Sequence, residues 1–123
     1  MKTFIFALLL LISTQTFAEN QNWTTNDSYR EAAFLTLLLV DYKQTIVIAE
    51  NPRKYKESGI SWAIGEHPTN TAVTNYFSLI AIAHPLITYY LPAEWRKGFQ
   101  YLTIGEKIPA VVGNYNVGIR IAF

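Results

Sequence analysis

Hydrophobic and polar positions divide this chain into blocks. Phe4 to Ile12 is an unbroken apolar run, residues 29–49 and 71–91 are mostly apolar, and 93–112 mixes apolar with charged side chains. The length of the last three blocks predicts helices. Asn26, Asp27 or Ser28 can cap a helix over 29–49, and Glu31 falls near its first turn, where the helix dipole favours an anion. Asn51-Pro52 stops it, because the residue before proline is pushed out of helical geometry. The polar connector at 51–70 is longer than most connections in compact domains and has room for a short helical turn at 61–64. Thr69 or Asn70 caps a helix over 71–91, which has no formal charge and carries Tyr89 and Tyr90 at one end, as interfacial aromatics often are placed. His84-Pro85 predicts a kink there. Pro92 falls at the first-turn position of a helix over 93–112, interrupted by Gly105 and Pro109 and stopped by Gly113-Asn114.

The chain end, "NVGIRIAF", alternates its apolar residues Val117, Ile119, Ile121 and Phe123, like the last strand of an outer-membrane barrel. Such a barrel needs eight or more strands, and the preceding helices conflict with it. The expected fold is therefore all-α, a small three-helix arrangement (29–49, 71–91, 93–112) associated with a membrane.

The first 18 residues change where that fold is placed. Lys2, the run Phe4–Ile12 and the ending Thr16-Phe17-Ala18 form a secretory signal peptide, with small residues where a signal peptidase reads them. The apolar run is too short to span a bilayer, which takes about 20 residues. Cleavage after Ala18 leaves 19–123 as one small helical domain, with nine basic and nine acidic side chains. That balance offers nucleic acid no electrostatic footprint. The chain has no cysteine, so no disulfide can staple it, and its stability must come from apolar burial or from the bilayer.

Within "LLLVDYKQTIVIAE" (37–50), Asp41, Gln44 and Thr45 fall on one helix face with Phe34, Leu37, Leu38 and Ile48, while Lys43 points nearly opposite. In lipid an isolated carboxylate at mid-depth costs about 3 kcal/mol, so it should turn inward to a partner. His84 and Thr88 on the second helix are candidates, as are Tyr101 or the Glu106-Lys107 pair on the third. A hydrogen-bonded cluster that fixes helix register is one reading of these residues, and a functional site is the other.

Chemistry-bearing motifs are sparse. Asp41, Glu57, Glu66, His67 and His84 are residue types that hold metals, but their spacing matches no metal motif, so no metal and no cofactor is expected. Gly59-Ile60-Ser61-Trp62-Ala63 falls one residue short of the G-x-S-x-G nucleophile turn and lacks the strand that should precede it. Trp62 and Trp95 read as interface or core aromatics. Arg53, Lys54 and Lys56 are offset by Arg96 and Lys97, so the charge rule for membrane orientation nearly cancels.

Asp41-x-x-Gln44-Thr45, Gly65-x-His67-Pro68 and Leu91-Pro92-x-x-Trp95-Arg96 resemble, in content and order, the recurring motifs of a group of small exported bacterial and phage proteins. Where that group usually carries an Asn-Pro ahead of the Gly-x-His-Pro stretch, this chain has Ser61-Trp62. The resemblance implies no activity. The resulting expectation is an exported protein of the bacterial cell envelope, inner membrane or periplasm, held in a membrane by helices 71–91 and 29–49. Its partners would be membrane lipid, copies of itself or other envelope proteins. Its binding residues would come from Asp41, Gln44, Thr45, Glu66, His67, His84 and Glu106. Two alternatives are a soluble periplasmic helical bundle and a minimal membrane enzyme using Asp41, His67 and His84.

Overall fold

The structure, a computed structural model, describes residues 23–121. The expected signal peptide at 1–18 and the terminal Phe123 lie outside the described residues. Regular structure among the described residues is entirely helical: α1 (Thr25–Glu50), α2 (Ser61–Ile64), α3 (Asn70–Tyr90) and α4 (Ala93–Asn116).

The helix ends follow local chemistry, with three corrections to the sequence reading. α1 starts four residues earlier than expected. Its cap is Thr24, whose hydroxyl accepts from the Asp27 N–H at 3.1 Å while the Asp27 carboxylate accepts from the Thr24 N–H at 2.9 Å. This reciprocal box satisfies two donors that a helix start leaves orphaned. Pro92 occupies the cap of α4 and is not in its first turn. α4 also runs through Gly113 and ends beyond it, because the left-handed residue that closes a helix is Gly118, at φ 100°. Thr69 caps α3 as expected, and α3 and α4 continue through Pro85 and Pro109.

No strand forms at the described C-terminal residues. Ile119 instead folds back, with its side chain buried and its N–H donating to the Asn114 carbonyl at 3.1 Å. In the connector, Glu57 is buried and its carboxylate accepts the N–H groups of Gly59 and Ile60. Its own N–H donates to the Glu66 carbonyl at 2.8 Å, which folds the segment into a clasp.

α1 is the central element. It packs along both α4 and α3, whereas α3 and α4 meet far less. Partners on α1 and α4 keep a nearly constant separation in sequence, 69 residues for Asp27–Arg96 and 66 for Asp41–Lys107, so these two helices run parallel. α3 returns antiparallel to α1, placing Glu31 beside His84 and Tyr42 beside Thr74. The apolar core between α1 and α3 is Phe34, Leu38, Val73 and Phe77. Full burial of such side chains contributes about 2 kcal/mol each, which makes this a small core. Most of the remaining interior is polar.

Candidate functional site

Of the eight buried positions of α1, Asp27, Glu31, Phe34, Leu38, Asp41, Thr45 and Ile48 advance in alternating steps of four and three residues, with Gln44 beside Thr45. That spacing keeps one continuous face turned toward a partner helix. On α4 the residues that bond across to the other helices are Arg96, Gln100, Thr103, Lys107 and Asn114, which lie on a seam of the same spacing. α1 brings three carboxylates to the contact, and α4 meets them with an arginine, an amide and a lysine.

At the first end, Arg96 is fully buried. One terminal nitrogen of its guanidinium bonds the Asp27 carboxylate at 3.0 Å, and its Nε donates to the Thr88 carbonyl at 3.0 Å. Its other terminal nitrogen donates to the carbonyls of Tyr89 and Leu91, each at 3.2 Å. These carbonyls at the end of α3 have no partner further along the helix, and a cation there also matches the helix dipole. The Trp23 ring covers the guanidinium at 5.1 Å. Arg30 bonds both the Asp27 carboxylate and the Gln100 side-chain oxygen. Gln100 in turn donates to the Asp27 carbonyl and to Glu31 Oε2, both at 3.0 Å.

One turn deeper lies His84. Its Nδ1 is 2.6 Å from Glu31 Oε1 and its Nε2 is 2.8 Å from Thr103 Oγ1. A carboxylate can only accept, so Nδ1 carries the proton and orients the ring. The ring faces are held between Phe34 and Phe99, with centroids 3.6 and 4.8 Å away. Thr88 sits one turn on, donating to the His84 carbonyl at 2.7 Å.

Further along, Asp41 pairs with Lys107 at 2.7 Å. Gln44 donates to the Val111 carbonyl at 3.0 Å and accepts from Asn114 at 3.1 Å. Thr45 turns its hydroxyl back onto the Asp41 carbonyl. Among the described residues no buried side-chain nitrogen or oxygen lacks a hydrogen bond.

Because α3 and α4 diverge, an open groove of about 870 Å³ runs between them over α1, bordered by residues 55–60 and by Val117 and Ile119. Asp41, His84, Thr103, Glu106 and Lys107 line it together with Phe34, Ile80 and Phe99.

The sequence-predicted residues are therefore divided. Asp41, Gln44 and Thr45 are buried against a neighbouring helix, as expected, and Lys107 is the partner of Asp41. His84 and Thr88 do not serve Asp41; they belong to the Glu31 and Arg96 network nearer the start of α1. Glu106 is exposed at the groove, while Glu66 and His67 are exposed on the connector and do not line it. Glu31, Arg96, Gln100 and Thr103 are the members that the sequence reading missed. Polar residues that fall on one four-and-three series in both 27–48 and 96–114, shared with Phe34, Leu38 and Ile48 on α1, are the signal that could have found them. Compared with protein-family models, with curated proteins and with solved structures, the chain has no match.

Proposed function

We propose that this chain is an exported protein embedded in a membrane, acting by association with envelope proteins or with copies of itself. The supporting observation is an inverted distribution of polarity. Among the described residues, ten polar or charged residues are buried against seven apolar ones, and fourteen large apolar or aromatic residues are exposed. Leu79, Ile82, Leu86 and Tyr89 make one outer stripe on α3, and Tyr101, Ile108, Val112 and Tyr115 another on α4. In water, faces of this extent call for a partner. In a bilayer the acyl chains solvate them, and the polar groups must be satisfied inside the protein.

α1 is the one described helix long and apolar enough to cross by itself; helix 71–91, expected to be the main anchor, is not. α3 and α4 would cross as its partners, with their polar positions turned to α1. Aromatic residues mark the end where α1 starts and α3 finishes: Trp23, Tyr29, Tyr89 and Trp95. The burial of Arg96 supports one orientation over the other. With that residue buried against Asp27 and α3, exposed cations are more numerous at the opposite end, where Arg53, Lys54, Lys56 and Arg120 stand against Lys97 at the Trp23 end. The connector would then face the cytoplasm and the Trp23 end the outside, in agreement with an exported N-terminus.

The test is alkaline carbonate extraction of expressing cells, followed by labelling of single cysteines at 58 and 97 with an impermeant maleimide. The reading expects the protein in the carbonate-resistant pellet, with position 97 labelled in intact spheroplasts and position 58 only after lysis. Recovery as a soluble monomer would favour the periplasmic bundle.

A further inference from the structure

The groove and the His84 network together supply something that helix association does not require. Glu31 holds Nδ1 of His84 at 2.6 Å, and in the neutral imidazole this turns the lone pair of Nε2 toward the Thr103 hydroxyl 2.8 Å away. Glu31 is itself fixed by Gln100 on its second oxygen, and the imidazole is clamped between two phenyl rings. A hydroxyl, a base within hydrogen-bond reach, and a third group orienting that base are the parts of an activated nucleophile. The Thr103 hydroxyl also lies 3.0 Å from the carbonyls of Phe99 and Gln100. Of the three groups around it, the imidazole is the closest and the one able to carry a proton away.

We propose that Thr103, His84 and Glu31 form an acyl-transfer centre that cleaves uncharged carboxylic esters bound in the groove. Thr103 attacks and His84 is the general base, so these are the catalytic residues; Glu31 is a positioning residue. The groove selects the substrate class. Phe34, Ile80 and Phe99 offer apolar walls to an acyl chain, and the lining carboxylates of Asp41, Glu57 and Glu106 are nearly balanced by Lys56 and Lys107, so an uncharged substrate fits. Lys107, one helical turn from Thr103 on the same seam, also lines the groove, with its ammonium paired to Asp41 at 2.7 Å.

The chemistry closes with water as the second reactant. Thr103 Oγ1 bonds to the ester carbonyl carbon as its proton moves to Nε2 of His84. The bond to the leaving alkoxy oxygen then breaks, and that oxygen takes the proton from His84. Water attacks the acyl-threonine and gives a proton to His84, and Thr103 regains it as the carboxylic acid leaves.

The experiment uses the full chain in detergent micelles with p-nitrophenyl butyrate and octanoate, and in parallel a fluorophosphonate probe located by peptide mass spectrometry. The proposal expects hydrolysis above the micelle blank and the probe on Thr103. Thr103→Ser should keep both, Thr103→Val should lose about a hundredfold or more in rate with its helical circular dichroism unchanged, and Glu31→Gln should lower kcat with KM unchanged. Hydrolysis no faster than the blank overturns the proposal, as does label on another residue or activity that survives Thr103→Val. Membrane extraction is unaffected by any of these substitutions, so failure here is distinguishable from failure of the membrane reading.

Discussion

Arg96 is the side chain on which all three long helices converge. It is fully buried, rises from the first turn of α4, pairs with the first turn of α1 and takes up the terminal carbonyls of α3. Removing one partner of a buried ion pair leaves the other charge without compensation and costs more than the pair itself contributes. Arg96→Met should therefore destabilise the protein by about 3 kcal/mol or more, measured as thermal or denaturant unfolding in detergent. The more exposed Asp41–Lys107 pair is open to the groove, so water can compensate a lost partner and the same operation should cost less. Equal sensitivity at the two sites would contradict this ordering.

The helices themselves were largely legible, because their boundaries are written in local chemistry. Asn51-Pro52 ends α1, Thr69 opens α3, and the turn at 61–64 forms as expected. Asp41, Gln44 and Thr45 were legible as an inward face because apolar neighbours flank them at helical spacing. The α4 seam was not, since Arg96, Gln100, Thr103 and Lys107 on a helix suggest a solvated face when apolar residues are assumed to point inward. Their burial becomes visible only when they are set against the matching acids of α1. The end of α4 was misread for a different reason. Gly113 and Gly118 are both plausible stops, and the choice depends on Asn114 staying helical so that its amide can reach Gln44. A pair of substitutions checks this. Gly113→Ala meets open space inside a helix and should stabilise by about 0.5–1 kcal/mol, whereas Gly118→Ala at positive φ should destabilise by about 1 kcal/mol in the same unfolding assay.

At the scale of the whole molecule, an interior of ion pairs and amides stands inside apolar outer faces. The small core of Phe34, Leu38, Val73 and Phe77 is too slight to set helix register alone, and the polar seam supplies the directional contacts that do. The chain contains no cysteine, so single spin labels can be introduced at chosen sites without background. The most direct test places labels at Ile82, Leu102 and Val112 on the outer faces and at Thr45 in the seam, then measures collision with oxygen and with a water-soluble nickel complex in lipid vesicles. The account predicts that the three outer labels meet oxygen and escape nickel, as lipid-facing positions do, while the Thr45 label is shielded from both. Outer labels freely reached by nickel, in a protein that stays helical, would contradict it.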